Sequence, residues 1–200
     1  MQKAWSQMNK KDKIVTRLLV SIHLMSLAAP FTFGPGALKW FGVNYALTVL
    51  GVTVGFHRQL THKSFESPKW VEYIMAFLGT LAVQGNPIEW VSAHRHHHCQ
   101  CDDVADPHSP KDGFWWSHIG WMLDSGTQPL LFDTTNCKDL KKDAFYTFLK
   151  THYLKITIAQ PIVYYLLGGW TAAIWGFALR TVAVWHVTWA VNSLSHIWGR

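Results

Sequence analysis

Two long apolar blocks, residues 18–56 and 156–199, dominate the pattern of hydrophobic and polar positions along the chain. Each block contains a single charged side chain, Lys39 in the first and Arg180 in the second, although the chain has 18 basic and 12 acidic residues in total. A soluble domain does not segregate its charges in this way. Because about 20 apolar residues are needed to cross a bilayer, each block is long enough for two membrane-spanning helices.

Prolines and glycines divide the blocks into four predicted spans. Pro30 and the turn 34–36 separate the first pair, and Gly168-Gly169 separate the second pair. The predicted spans cover residues 14–33, 37–56, 156–168 and 171–191. Pro161 predicts a kink in the third span. Arg180, within the fourth span, is expected either to snorkel to the interface or to face the protein.

The polar segment between the blocks predicts a cap on the membrane surface. Residues 71–83 are apolar over only 13 positions, which is too short to span and predicts a buried or interfacial helix. Residues 113–123 are rich in aromatic side chains and suit the membrane surface. We therefore expect residues 1–200 to form a single all-α integral membrane domain, with four transmembrane helices and a cytosolic-side helical cap that holds a histidine-rich di-metal site.

Basic residues fall on one side of the predicted spans. Five lie within the first 17 residues, and Arg58, Lys63 and Lys69 follow the first apolar block. This distribution predicts that the N-terminus and the middle segment lie on the cytosolic side or its equivalent. The net charge is +6, but the bases form no single patch, so no nucleic acid partner is expected. The first apolar stretch is long enough to span, so no cleavable signal is expected.

The candidate chemistry lies in the histidines, of which the chain has twelve. Six of them fall in three groups on one side of the predicted membrane: His57 and His62; His94, His97 and His98; and His196. Helix positions i, i+3 and i+4 share a face, so the second group converges while His96 points away. His57 and His62 are five residues apart and can meet at one site only if the helix frays or ends there.

Imidazole-rich sites suit iron, copper, zinc or nickel, and this many histidines favours two metal ions. The Glu-x-x-His pairs of carboxylate di-iron bundles are missing. The thiols of Cys99 and Cys101 are soft potential ligands, but beside an all-histidine site the pair is expected to be incidental. Three further histidines are expected to be hydrogen-bonded residues without a role at the metal: His23, His152 and His186.

Five motifs resemble those of the membrane fatty acyl desaturases. They are His57-Arg58-Gln59-Leu60-Thr61-His62, His94-Arg95-His96-His97-His98, Asp106-Pro107-His108, the segment 113–118 (GFWWSH), and Asn192-Ser193-x-x-His196. The resemblance is to the delta-9-type branch, which includes animal stearoyl-CoA desaturases and plant and cyanobacterial acyl-lipid desaturases. It runs from about Val43 to the last residue, and residues 85–95 most resemble the plant, algal and cyanobacterial members.

The resemblance implies a centre of two Fe2+ ions held by nine histidines, with an asparagine that contacts the metals through water. The residues that match ligands are His57, His62, His94, His97, His98 and His196; Asn192 matches the asparagine, and Asp106 and His108 match motif residues near the site that are not ligands. In the family, a third box, His-x-x-His-His, follows the Asn-Ser-x-x-His motif by a few dozen residues. No such box lies between His196 and Arg200. We therefore expect this chain, as a fragment or a truncated product, to bind metal incompletely.

The implied function is an oxidoreductase that introduces a cis double bond into a saturated acyl chain, carried on CoA or on a lipid. It would use dioxygen and an external electron donor, cytochrome b5 or ferredoxin. The implied location is the endoplasmic reticulum or a plastid or thylakoid membrane, with the N-terminus on the cytosolic or stromal side. The alternatives are a histidine-box hydroxylase, an inactive truncated chain, a haem-binding electron carrier and a metal transporter. The last two would place ligands within the spans rather than at one interface.

Overall fold

The computed structural model describes residues 5–101, 103, 106, 108–124 and 133–199. Within them the α-helices are α1 (Lys10–Ser26), α2 (Ala37–Leu50), α3 (Lys69–Leu81), α4 (Pro87–Cys99), α5 (Phe114–His118), α6 (Lys138–Lys141), α7 (Ala144–Thr171), α8 (Arg180–Ala190) and α9 (His196–Trp198). Three π-helical stretches are continuous with them: Gly51–Thr61 extends α2, Ala172–Leu179 joins α7 to α8, and Val191–Ser195 joins α8 to α9. Short 3₁₀ turns lie at Trp5–Gln7, Ala29–Thr32, Pro110–Asp112, Gly120–Leu123 and Thr135–Cys137. The described residues contain no β-strand, which confirms the all-α prediction.

Within the part of the chain that the structure describes, two helical stretches are long and apolar enough to cross a membrane, Ala37–Thr61 and Ala144–Trp198. The first contains the predicted second span. The second is 55 residues long and contains both the predicted third and fourth spans. Its backbone leaves helical angles at Gly168-Gly169 and not at Pro161, where the kink was predicted. Gly169 has φ +61°, a left-handed angle that glycine adopts without steric cost.

The first predicted span is shorter as a helix than the sequence indicated. α1 contains 17 residues, and the chain then passes through a turn into the 3₁₀ turn that holds Pro30. Large apolar side chains nevertheless cover the outside of this region and of the two long stretches. Those exposed by more than 60% include Leu24, Phe31, Leu38, Leu166 and Trp170. So much exposed apolar surface marks a face that meets other apolar material.

Glycines bring α3 into backbone contact with the π-helical stretch that follows α2. A Cβ atom on Gly51 would lie 2.1 Å from the backbone nitrogen of Gly79, and one on Gly55 would lie 2.9 Å from Met75 Cβ. Only residues without a side chain permit this approach. The contact fixes the direction in which the stretch leaves α2 and approaches α4.

A shared core connects the histidine-bearing segments. Phe56 and Leu60 of the π-helical stretch are buried against Ile88 and Val91 of α4. Asn86 is the N-cap residue just before α4, and its side chain accepts a hydrogen bond from a backbone N–H in the first turn of the helix. Apolar burial therefore sets the position of both segments before any metal is considered.

Arg180 faces the protein and does not snorkel. Its side chain is fully buried. It donates hydrogen bonds to the carbonyl oxygens of Gly176 (3.0 Å) and Leu81 (2.7 Å) and to Gln160 Oε1 (3.0 Å). A cation that bonds the last carbonyl of α3 is well placed at the negative end of that helix. Arg180 thereby ties α8 to the turn between α3 and α4.

Candidate metal centre

Four imidazoles from two segments surround one point. They belong to His57, His62, His94 and His98, and their donor atoms all lie within 4.8 Å of one another. The Nε2 atoms of His57 and His62 are 3.1 Å apart, and those of His94 and His98 are 3.0 Å apart. Nitrogen donors at this spacing can share a single metal ion, and imidazole suits iron, copper, zinc and nickel. We call these four residues the first histidine group.

The five-residue spacing of His57 and His62 is explained by π-helical winding. The expectation was that the helix must fray or end between them. Instead the stretch Gly51–Thr61 stays helical, and the N–H of His62 bonds to the carbonyl of His57 at 3.1 Å. A π-helix pairs residues i and i+5, so a spacing that diverges on an α-helix converges here.

A second group lies beside the first. The donor atoms of His97, Cys101 and His196 also fall within 4.8 Å of one another. The ring centroid of His97 is 5.1 Å from that of His196 and 5.2 Å from that of His98. The two groups are therefore adjacent. The thiol of Cys101 therefore lies close to two of the predicted ligands, and the prediction that it is incidental to the site stays a prediction.

Asp106 holds His97 in a defined orientation. Its fully buried carboxylate accepts a hydrogen bond from Nδ1 of His97 at 2.9 Å and another from the backbone N–H of His108 at 3.2 Å. Because a carboxylate accepts, the proton is on Nδ1 and the lone pair of Nε2 remains available for a metal. His108 packs its ring 4.4 Å from that of His97. Pro107, between Asp106 and His108 in the sequence, lies outside the described residues.

Three of the clustered histidines, His94, His98 and His108, have lowered pKa values that favour the neutral imidazole. Burial, with repulsion from neighbouring histidines, lowers the pKa of His94 to about 2. The same two causes lower the pKa of His98. Burial lowers the pKa of His108 to about 4, against the opposing effect of Asp106. Neutral imidazole carries the lone pair that a cation requires.

Arg95 connects the segments that carry the first histidine group, and the sequence analysis did not identify this role. Its guanidinium forms a two-pronged ion pair with Asp139 at 2.9 and 3.0 Å. It also donates to the carbonyls of Leu60 and Asn136, both at 2.8 Å. Leu60 lies between His57 and His62, whereas Arg95 follows His94. The only available signal was the position of Arg95 inside a histidine motif.

The remaining predicted residues lie close to these groups. Asn192 is half-buried in the π-helical stretch Val191–Ser195, about one turn before His196. His96 faces away from the first group, and its Nε2 lies 3.2 Å from the carbonyl of Asp133. The ring of Trp90 packs 4.9 Å from that of His94, so an indole forms one wall of the first group.

Three other histidines form a hydrogen-bonded chain rather than a metal group. His23 Nε2 lies 3.2 Å from His186 Nε2, and His186 Nδ1 lies 3.1 Å from His118 Nε2. The chain ends at Ser193 Oγ, 2.9 Å from His118 Nδ1. His152 bonds its own helix at the carbonyl of residue 148. His23, His152 and His186 are thus hydrogen-bonded as predicted, while His118, the partner of His186, was not predicted.

Known proteins resemble this chain over nearly its whole length. A family model described as fatty acid desaturase matches residues 10–200. The chain is 45% identical over its full length to the chloroplastic palmitoyl-monogalactosyldiacylglycerol delta-7 desaturase of Arabidopsis thaliana, of which the match covers 53%. It is 43% identical over 92% of its length to the sn-1 stearoyl-lipid 9-desaturase of Anabaena variabilis, covering 68% of that protein. It is also 43% identical over 96% of its length to the icosanoyl-CoA 5-desaturase of Limnanthes douglasii, covering 55%. The chain therefore spans about half to two thirds of the length of these relatives.

Proposed function

This chain belongs to the fatty acid desaturase family, and from that premise we propose that the protein introduces a cis double bond into a saturated acyl chain. The resemblance inferred from the histidine motifs is confirmed. The observation that carries the proposal is the pair of adjacent donor groups, four imidazoles in one and His97, Cys101 and His196 in the other. Two neighbouring metal positions are the arrangement that a di-iron desaturase requires.

The donor atoms of these groups fit two metal ions, and we assign both as iron. His57, His62, His94 and His98 would hold one ion, and His97 and His196 would contribute to the other. Asn192 would contact the metals through water. When bound, the iron centre supplies the dioxygen-derived oxidant that no side chain provides for removing hydrogen from a methylene group.

The protein's own contribution is to hold the ligands in the right form and place. Asp106 keeps the proton of His97 on Nδ1, at a distance of 2.9 Å. Burial keeps His94 neutral, and the indole of Trp90 covers one side of its ring. Arg95 holds the backbone between His57 and His62 against α4. These contacts orient the metal ligands before a substrate arrives.

We propose a membrane topology with four spans. The first includes α1, the second is Ala37–Thr61, and the third and fourth are the two arms of Ala144–Trp198 on either side of Gly168-Gly169. The exposed apolar side chains on these helices and the basic residues near the N-terminus support this arrangement. Both histidine groups would then lie in a helical cap on the cytosolic or stromal side.

We propose an acyl chain on a glycerolipid as the substrate, with dioxygen as co-substrate. The names of the Arabidopsis and Anabaena relatives specify acyl groups on lipids, whereas that of the Limnanthes relative specifies an acyl-CoA. The chloroplastic relative supports a plastid membrane, with ferredoxin as electron donor. An endoplasmic reticulum location would call for cytochrome b5 instead.

Product analysis in a host that lacks its own acyl desaturase tests this function. We expect a new monounsaturated fatty acid in the glycerolipids, detected by gas chromatography and mass spectrometry, when these 200 residues are joined to the third histidine box of a relative, and little or none from the 200 residues alone. The variant His94→Ala should yield none while reaching the membrane in the same amount. A hydroxy fatty acid would identify a hydroxylase instead. Purified protein that binds no iron would refute the metal assignment.

A further inference from the structure

We propose that the cap surface formed by α6 and the neighbouring Lys63 is the docking site for a small acidic protein that carries electrons one at a time. The inference rests on the proposed function, because it names the surface through which the same metal centre would be reduced. A CH2–CH2 unit and dioxygen become a CH=CH unit and two waters only when two electrons and two protons are added. Solvent supplies the protons, whereas the electrons require a redox carrier, since no side chain provides them.

Three lysines form one exposed face of α6 and of the residue that caps it. Lys138, Lys141 and Lys142 are all exposed, and positions i, i+3 and i+4 lie on the same side of a helix. Leu140 is buried in the core, so the opposite side of α6 is held against the protein. Among the described residues these three lysines form no ion pair. We call them the lysine face.

Asp139 links the lysine face to the first histidine group. Its carboxylate bonds Arg95 at 2.9 Å and Lys63 at 3.2 Å. Arg95 directly follows His94 in α4, and it also bonds the carbonyl of Leu60. A single ion pair therefore joins the helix with the lysine face to both segments that carry the first histidine group.

An open depression beside the lysine face exposes two imidazoles of the first histidine group. Lys63 and Arg95 line it together with His62 and His98. Both of these histidines are exposed, whereas His97 of the second group is only 4% exposed. A protein that rests on Lys63 and the lysine face would therefore hold its redox centre over the exposed side of the metal centre.

The charge of this surface selects an acidic partner. Lys63, Arg95 and the lysine face contribute five positive charges, and the neighbouring carboxylates of Asp133, Asp139 and Glu66 offset three of them. Complementary charge speeds encounter and sets the orientation of the partners. Electron-transfer complexes are small and transient, with interfaces below about 1,200 Å², so a compact charged surface is sufficient.

The position of α6 favours a soluble partner over the bilayer surface. α7 begins at Ala144 and carries Lys150 and Lys155 before its apolar arm starts at Ile156. At a rise of 1.5 Å per residue, this polar part of α7 separates α6 from the apolar arm by about 18 Å along the helix. Lipid headgroups would therefore meet the lysines of α7 rather than the lysine face.

Binding of an oxidised plant-type two-iron, two-sulfur ferredoxin, an acidic one-electron carrier, to the purified full chain in detergent tests the proposal without measuring activity. The test variant combines Lys138→Glu, Lys141→Glu and Lys142→Glu. Its affinity for ferredoxin should be at least 10-fold below that of the parent at low salt, and the difference should shrink as added salt screens the exposed charges. Arginine at the same three positions should retain the parental affinity, because the positive charge is kept.

A matched control reverses the same number of charges elsewhere. Lys10→Glu, Lys111→Glu and Lys150→Glu change exposed lysines on other elements, and together they should alter ferredoxin affinity by less than threefold. Equal losses in the two triple variants would reduce the effect to net charge and overturn the docking surface. Parental affinity in the lysine-face variant, or a parent that binds no ferredoxin, would overturn it as well.

Failure of this proposal is distinguishable from failure of the proposed function. A completed chain that forms the double bond, while the lysine-face variant binds ferredoxin as the parent does, would overturn the docking surface alone. A chain that binds ferredoxin through the lysine face but holds no iron would refute the metal assignment and leave the docking surface in place.

Discussion

Replacing Arg95 by glutamine should weaken metal binding although Arg95 is not a ligand. The guanidinium bonds the carbonyl of Leu60, which lies between His57 and His62, and it projects from the helix that carries His94. Glutamine cannot reproduce the two-pronged pairing with Asp139 and has no positive charge. Without the connection, the two halves of the first histidine group lose their common anchor.

The expected loss of stability in Arg95→Gln follows from the contacts that the guanidinium makes. Two short bonds of 2.8 Å join the guanidinium to backbone carbonyls, and leaving such acceptors unsatisfied costs about 1–3 kcal/mol each. The carboxylate of Asp139 is 37% exposed and also bonds Lys63, so its ion pair contributes only about 1 kcal/mol. The folded state should therefore lose roughly 3–7 kcal/mol. Metal affinity should fall about 10- to 100-fold, as when other supports of metal ligands are removed.

Titration with Fe2+ or Co2+ and thermal unfolding, both in the same detergent, measure the two effects. The matched control is Lys63→Gln, since Lys63 is 68% exposed and contacts Asp139 at 3.2 Å. It should change stability by less than about 1 kcal/mol and leave metal affinity unaltered. If Arg95→Gln unfolds at a lower temperature but binds metal with parental affinity, the guanidinium stabilises the fold without positioning the ligands. Equal effects of both variants would contradict the reasoning as well.

Three further predictions follow from single contacts. Asp106→Asn should lower affinity at the second metal position about 10- to 100-fold in a metal titration, because the amide no longer fixes the proton on His97 Nδ1; unchanged affinity would contradict this role. Gly51→Ala should lower the free energy of unfolding by about 1–3 kcal/mol or more, because the new Cβ would lie 2.1 Å from a backbone nitrogen of α3. Thermal unfolding measures this loss, and the control Gly42→Ala, with nothing within 4 Å of its new Cβ, should be neutral or stabilising. The hydrogen bond from Arg95 lowers the pKa of Asp139, so the stability that this ion pair contributes should be present above the ordinary carboxyl pKa near 3.9 and be lost as the pH falls below it. Asp139→Asn should reduce the loss of stability at acid pH in a pH series of unfolding measurements, and an unchanged loss would refute the assignment.

The segregation of charge and the helical spacing of histidines predicted much of this structure. An all-α fold, a short helix at α3 and the pairing of His94 with His98 on α4 follow from periodicities of 3.6 residues and from the absence of charge in the apolar blocks. The prediction that His97 joins the same group was wrong, since its donor atom groups with those of Cys101 and His196 instead. The structure departs from prediction where backbone geometry departs from the regular α-helix. The break at Gly168-Gly169 was predicted from the two glycines, whereas the π-helical winding of Gly51–Thr61 has no signal in apolar content.

Local sequence patterns also could not predict the contacts between segments that are distant in the chain. Arg95 pairs with Asp139, 44 residues further along the chain, across a loop whose path no periodicity specifies. Cys101 lies just past the end of α4, where the direction of the chain no longer follows from the helix. Its approach to His196 depends instead on how α9 packs. Sequence spacing thus indicated the candidate residues, and tertiary packing decided which of them meet.

The winding of the stretch Gly51–Thr61 shows that the first histidine group depends on both the sequence spacing of its histidines and the tertiary packing around them. On an α-helix, His57 and His62 would point about 140° apart, since each residue turns the helix by about 100°. Winding at i to i+5 aligns them, but it widens the turn and is rarely stable without support. Here the support comes from Gly51 and Gly55, which bring α3 to backbone contact, and from the buried ring of Phe56. The pairing of His57 with His62 therefore depends on glycines up to eleven residues away, and a side chain at those positions should displace His62 relative to His57 before it unfolds the protein.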